Sequence, residues 1–494
     1  MKPAASIRSS AAKPAVRSKA RGVAVVLAGA LALGSAATAF AWEPQTTHAG
    51  LAEQAALASR LHKRLVSLGF AGGLFEPLTI PPADAPALTA ALKLLSPPHG
   101  SVPDARGRQA ALAWLTAGAA LADVPASQAA NHFFDPATGS GWVPPDRGVS
   151  GTLHRLLESS LPGKGMAAPD WLVAKTNPFS LEQFLNQYAK AAGAPTPGER
   201  SRYMAAALIA AGAMLHTLGD LGAPSRVRGD SAAQLEPLGS GTDDLGSRFE
   251  RIAALTYGRL GVPAPSRVVT RMHLRDYVTS KDGGGLADLI ARSYFSPNTL
   301  PEPTRVSGDA RPRLVRPQPG LPARLNLMAA NRDDGTTLRS AAGICLARYR
   351  VEHNVLQFSL DDECMMEQIA QILPEVAAYE TGLLDFLLRG ELAITAADQV
   401  TVSARGLGAG SVELFVEDDR GVRKSIATVQ VAAPGAAATG DQPGQQAQLA
   451  QLAQLAQVAQ VATPPAGTRV VAVFRGVDAA GEPLVAVGAA PLAH

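Results

Sequence analysis

The sequence is poor in cysteine, in aromatic side chains and in charge of one sign. Two cysteines in 494 residues, Cys345 and Cys364, exclude a zinc-finger framework. A metal site here would have to use histidine, carboxylate or a chain terminus. Aromatics make up 5% of residues while alanine, glycine and proline abound, so some segments are expected to pack loosely. The formal net charge of +3 includes six basic side chains within residues 1–41, which hold no acidic one, so the remainder stands at −3. Such a remainder has no global electrostatic footprint for polyanions. The basic stretch "RVSGDARPRLVR" at 305–316 is best read as a solvated, proline-containing loop. Past the N-terminal region no run is long and apolar enough to suggest a membrane span.

What is present begins with an address. Lys2, Arg8, Lys13, Arg17, Lys19 and Arg21 precede "GVAVVLAGALALGSAATAF", and the stretch closes on Ala39-Phe40-Ala41, a small-x-small cleavage pattern. Residues 1–41 are therefore expected to be a signal peptide, an uncleaved anchor being the alternative, and the chain to be exported to the periplasm or beyond. Export permits a disulfide. Cys345 and Cys364 are a helix length apart, a spacing compatible with a bridge between two antiparallel helices.

Residues 42–392 carry helical periodicity, so the fold class is expected to be mainly α. "THAGLAEQAALASRLHKRLVSL", "GRQAALAWLTAGAALAD", "SRFERIAALTYGRL" and "GGLADLIARSYF" read as amphipathic helices. "SRYMAAALIAAGAMLHTLGD" is apolar on nearly every face and should be a central, buried helix. "MMEQIAQILPEVAAYETGLLDFLLRG" closes this part, with Pro374 either kinking one helix or dividing two. From 393 to 494 the pattern shifts to short β-type runs such as "QVTVSA", "SVELFVED" and "RVVAVFRG", read as a small antiparallel β-sandwich. The three-residue repeat "QQAQLAQLAQLAQVAQVA" falls within an expected low-complexity insertion at about 440–466.

The candidate chemistry lies in a few polar residues set against apolar helices. His216 and Asp220 are four apart and project from one helix face, where both can reach one cation. Asp123 ends its own helix, facing the negative end of the dipole, and calls for a positive partner, a metal or an arginine. His132 sits in the turn "ANHFFDPATGSGW", and His48 near the start of the first helix after the leader. Cleavage after Ala41 would make Trp42 the N-terminus, whose amine and carbonyl can chelate one metal.

"W42…TH48", "GAALAD123", "ANH132FFDP", "LH216TLGD220LGAP" and "SRFE250", in this order, resemble the zinc-dependent phospholipase C family, which shares a helical fold with the fungal zinc-dependent single-strand nucleases. The resemblance covers about residues 42–260. It implies that Trp42, His48 and Asp220 hold one zinc ion and that Asp123, His132, His216 and Asp220 hold a second, with Asp220 bridging. Of the third family zinc's two histidines and glutamate, only Glu250 remains, because Arg226 and Gly246 stand where the histidines would be. Two zinc ions are thus expected. Arginine stays protonated and is no metal ligand, so Arg226 is expected to hold a substrate phosphate or to form an ion pair over a lost site.

The implied activity is hydrolysis of a phosphoester, with Asp123 orienting or deprotonating the attacking water and Arg226 offsetting phosphate charge. A phospholipid headgroup ester is the preferred substrate, and single-stranded nucleic acid or a nucleotide the alternative. Trp114, Trp142 and Phe133 are either cleft aromatics or core. A further alternative is a non-catalytic relative with structural zinc and a surface partner. By analogy with accessory β-modules, the C-terminal domain would dock on membrane, glycan or protein.

Overall fold

The computed structural model describes residues 44–79, 107–124, 126–144, 163–238, 245–305, 336–431, 456–464 and 467–492. Residues 1–41, expected to be a signal peptide, Trp42 and most of the glutamine-alanine repeat lie outside them. The principal helices are α1 (Ala49–Ala58), α2 (Ala111–Leu121), α3 (Leu181–Gly193), α4 (Pro197–Asp220), α5 (Arg248–Leu260) and α6 (Asp362–Leu387). The stretch "THAGLAEQAALASRLHKRLVSL", expected as one helix, breaks after α1, at Ser59 and Arg60, and resumes as Leu61–Ser67.

α4 is the axis of the helical part. Thr196 caps it, accepting from the Glu199 amide, while the Glu199 carboxylate accepts from the Thr196 amide. Pro197 opens the first turn, where its missing N–H costs nothing. From Met204 to Asp220 nearly every side chain is buried, as the apolar sequence requires. α2 lies against it backbone to backbone. A Cβ at Gly212 would fall 1.9 Å from the Leu115 carbonyl oxygen, and one at Gly118 2.1 Å from that of Ile209. α6 is one continuous helix that contains Pro374, and it packs on α1 and α4.

The span expected to be helical also holds a sheet: β1 (Thr304–Arg305), β2 (Thr337–Arg339), β3 (Cys345–Glu352) and β4 (Val355–Ser359), in the order β1-β4-β3-β2. His353 and Asn354, at φ 50° and 61°, turn β3 into β4, the left-handed pair that a tight two-residue hairpin demands. Cys345 and Cys364 are joined by a disulfide. It ties strand β3 to helix α6, not helix to helix as the spacing suggested.

The C-terminal part corrects the sandwich expectation. Strands β5 (Gly390–Ala396), β6 (Gln399–Ala404), β7 (Leu407–Glu417), β8 (Arg423–Val431), β9 (Ala456–Ala462), β10 (Arg469–Asp478) and β11 (Pro483–Pro491) form one seven-stranded sheet, ordered β8-β7-β10-β11-β5-β6-β9. All neighbours are antiparallel except β11 and β5. The edge strands β8 and β9 come back near each other, so the sheet curls toward a barrel. β10 and β11 explain why. Val470, Ala472, Phe474, Leu484 and Ala486 fill the curled interior, whereas Val471, Val473, Val485 and Val487 join the core of the helical part. Two apolar faces give the same short hydrophobic runs as two separate sheets. The end of the expected insertion is also structured, because residues 456–462 form β9 against β6.

Gly212→Ala should be destabilising, by about 1–3 kcal/mol or more, because the added methyl meets a rigid backbone carbonyl. Urea denaturation measures it; an unchanged midpoint would mean that α2 and α4 can part freely.

Candidate metal centre

The ends of separate elements meet at the last turn of α4. His48 closes a short π-helical turn, Pro44–His48, that runs into α1. Asp123 stands two residues past the end of α2, and His132 ends the 3-10 turn Ala126–His132. His216 and Asp220 complete the set from α4. The side chains of these five residues are at most 8% exposed, and Asp123 is the one that reaches 8%.

Asp220 joins the two halves of the site. Its Oδ1 lies 3.1 Å from His48 Nε2. Its Oδ2 lies 2.9 Å from His132 Nδ1, 3.2 Å from His216 Nε2 and 3.3 Å from an Arg226 amino nitrogen. Asp123 approaches from the other side, Oδ1 3.2 Å from His132 Nδ1 and Oδ2 3.3 Å from His216 Nε2. The His48 and His216 rings stack with centroids 3.6 Å apart.

One contact fixes the chemistry of His216. Its Nδ1 lies 2.7 Å from the Ala119 carbonyl oxygen, which can only accept. The proton therefore sits on Nδ1, and a neutral ring turns the Nε2 lone pair toward two carboxylates. His216 Nε2, Asp123 Oδ1 and His132 Nε2 make no well-aligned hydrogen bond, the first two having only the ion-pair contacts above. Buried atoms of this kind are ordinarily satisfied. A cation would satisfy His216 Nε2 and both aspartates at once. Asp123, His132, His216 and Asp220 each offer one ligand atom, all within 4.8 Å of one another, and could hold a metal ion. Two imidazole nitrogens and two carboxylate oxygens suit zinc.

The electrostatics follow from burial and pairing. Burial opposes charge on His48, His216, Asp123 and Asp220. At His216 it is overcome by the two aspartates, which push the ring up to about 10. At His48 burial and the neighbouring His216 prevail, pulling the ring down to about 4. Asp220 is held well below the usual carboxylate range despite burial, chiefly by Arg226 and His216, and Asp123 chiefly by His216 and His132.

Arg226 is wholly buried, and its Nε donates to Glu250 Oε1 at 3.0 Å. Gln234 donates to the same oxygen at 3.3 Å. The guanidinium lies 4.7 Å from the Phe133 ring centre, and both of its amino nitrogens lack hydrogen-bond partners. Glu250 thus faces Arg226 and lies outside the four-residue group. Gly246 pairs with Glu236 in a two-residue ladder. Trp42 falls outside the described residues.

Trp114, Trp142 and Phe133 are core, at 1%, 1% and 3% exposed. Trp114 donates its indole N–H to the Leu78 carbonyl, and Trp142 meets Phe133 edge to face. None is an open stacking platform. Three neighbours of the site escape sequence reasoning: the Ala119 carbonyl, Gln234, and Glu380, whose buried carboxylate lies beside Gly219 in the last turn of α4. Glu380 had a signal, an acid within the apolar run "VAAYETGLL".

No protein-family model matches the chain, and no curated protein matches it. Among solved structures, alpha toxin from Clostridium absonum aligns over 92% of this chain and 96% of its own, at 11% identity and a TM-score of 0.28. Clostridium perfringens alpha-toxin from avian strain SWCP aligns over 92% and 99%, at 11% identity and a TM-score of 0.27. Identity and superposition this low assign no function. Among the described residues no helix is long and apolar enough to cross a membrane.

In protein stripped of metal by chelator, the combined contribution of His216 and His48 to stability should peak near pH 6.5. His216 contributes stability that is complete below its usual value of 6.5 and lost as pH rises through about 10. His48 works on the other side: its folded-state value is lowered, so acidification from 6.5 through about 4 favours the unfolded chain. Urea midpoints of chelated protein between pH 4 and 10 test this; a flat profile would contradict the charge assignments.

Proposed function

We propose that the chain is a zinc-dependent phosphoester hydrolase that acts on phospholipid headgroup esters. The carrying observation is the carboxylate of Asp220, whose two oxygens face different histidines, as a ligand shared by two cations would. Asp123, His132 and His216 with Asp220 Oδ2 would hold one zinc; His48 with Asp220 Oδ1, joined by the amine and carbonyl of Trp42, would hold another. When bound, such a pair supplies Lewis acidity and makes a water molecule acidic.

The chain's own residues do the rest. Asp123, the most exposed of the five, stands where solvent approaches; it orients the attacking water and takes up its proton. His216, anchored by Ala119, cannot turn its ring away from the cluster. Arg226 is fixed by Glu250 as a permanent positive charge beside Asp220, and its amino groups, one in ion-pair contact with Asp220 and neither hydrogen-bonded, suit phosphate oxygens. The preference for lipid over nucleic acid is supported by the burial of Trp114 and Trp142 and by the −3 balance of residues 42–494, which offers no polyanion field. The C-terminal sheet would contact the membrane surface.

Burial of the cluster favours a second reading, in which the metal is purely structural and the protein has no hydrolytic activity. Two assays separate them. A soluble chromogenic phosphodiester should be hydrolysed, with activity removed by chelator and restored by zinc. Zinc uptake without hydrolysis of it, of phosphatidylcholine or of single-stranded DNA would establish the structural reading. Arg226→Ala should keep bound zinc and lower turnover about 100-fold, the scale of losing one charge-stabilising donor. Unchanged turnover would reduce Arg226 to an ion-pair partner.

A further inference from the structure

α6 carries one acid on a face that is otherwise apolar. Glu380 is 1% exposed, and neither of its carboxylate oxygens has a hydrogen-bond partner. Its chain neighbours are satisfied: Tyr379 donates to the Gly284 carbonyl at 2.6 Å, and Thr381 to that of Ala377 at 2.7 Å. Fold stability gives no reason to keep a bare carboxylate here, since an apolar side chain would fill the same space without the desolvation cost.

The position of Glu380 supplies a reason. It faces the last turn of α4 at Gly219. A Cβ at 219 would lie 2.5 Å from Glu380 Oε1 and 3.3 Å from His48 Nδ1. The missing side chain of Gly219 leaves a notch that both groups line. His48 Nδ1 is also a buried atom with no partner, whereas its Nε2 faces Asp220. One ring nitrogen thus faces Asp220, and the other lines the Gly219 notch that Glu380 also lines. His216 is built the same way, with the Ala119 carbonyl at its other ring nitrogen.

We propose that Glu380 is the positioning carboxylate of His48. Across the notch it accepts the His48 Nδ1–H, which sets the tautomer that leaves the Nε2 lone pair free for metal and holds the ring against His216. This rests on the metal-centre reading above. Glu380 is outside the group of residues whose ligand atoms converge, so it acts through His48. Gly219 is its accomplice, because any side chain there would occupy the notch.

The test uses purified protein with 15N-labelled histidine, zinc as the probe, and three variants. Glu380→Gln keeps a hydrogen-bond acceptor, Glu380→Met keeps the volume without one, and Gly219→Ala blocks the notch. Wild type should take up zinc with His48 protonated at Nδ1. Glu380→Gln should stay close to wild type in zinc affinity, measured by chelator competition. Glu380→Met and Gly219→Ala should lose about 10–100-fold for the ion that depends on His48, the usual effect of removing such a partner. They should also shift the His48 Nδ1–H resonance. A purely space-filling role predicts the reverse order, with methionine tolerated. Equal zinc affinity and an unmoved His48 resonance in Glu380→Met would overturn the proposal. If that variant does not fold, wild type alone decides, since zinc on His48 Nδ1 leaves no proton for Glu380 to accept. Wild type that takes up no zinc would refute the metal-centre reading itself, a different result from zinc bound without help from Glu380.

Discussion

A single buried carboxylate organises this protein. Asp220 ends the central helix, is wholly shielded from water, and meets three histidines and an arginine with its two oxygens. A charge in such a place is tolerable only when its surroundings are built for it. Much of the helical part can be read as that construction. α4 is capped and made almost wholly apolar so that its last turn is fixed, and the approach of α2 brings Asp123 and the Ala119 carbonyl to the same point. The chain between them adds His132, and the turn before α1 adds His48.

The charge balance around Asp220 explains the placement of Arg226. Asp123, Asp220 and Glu250 are buried together, and the guanidinium is the permanent cation among them. It interacts with two of these carboxylates directly, through Nε to Glu250 and an amino group to Asp220. What remains is the His216 Nε2 and its two aspartates, a set that accepts either a proton or a metal ion. The same contacts that lift the affinity of His216 for a proton would lift its affinity for zinc. Proton and metal therefore compete for one position, and metal uptake would release the proton.

The site was legible in the sequence where its residues sit at the ends of helices in short motifs. His216 and Asp220 declare themselves by their spacing on an apolar helix, and Asp123 by standing at the wrong end of a dipole. Glu380 could not be found that way, since it comes beside Gly219 and His48 only through the packing of α6 against α4, and no spacing encodes that meeting. The sheet β1 to β4 was missed for a related reason. Its first strands are two and three residues long; the alternation of Ala347, Tyr349 and Val351 with Arg348 and Arg350 in β3 and the His353-Asn354 turn were the local signs. The C-terminal strands were recognised but arranged wrongly. Alternation shows which residues share a face, whereas the number of sheets depends on what covers the other face.

That covering has a consequence for anyone who would cut this chain. The sheet lays Val471, Val473, Val485 and Val487 into the core of the helical part, and Phe415 reaches Gly193 at the end of α3. Arg423 fastens the join with polar contacts, donating to the Ala192 and Leu68 carbonyls and pairing with Glu417. The two parts are thus grown into each other. A truncation after α6 would bare a greasy scar along α3 and strand the carbonyls that Arg423 serves. The C-terminal sheet is a wall of the house that holds the site, and transplanting it would require carrying α3 along with it.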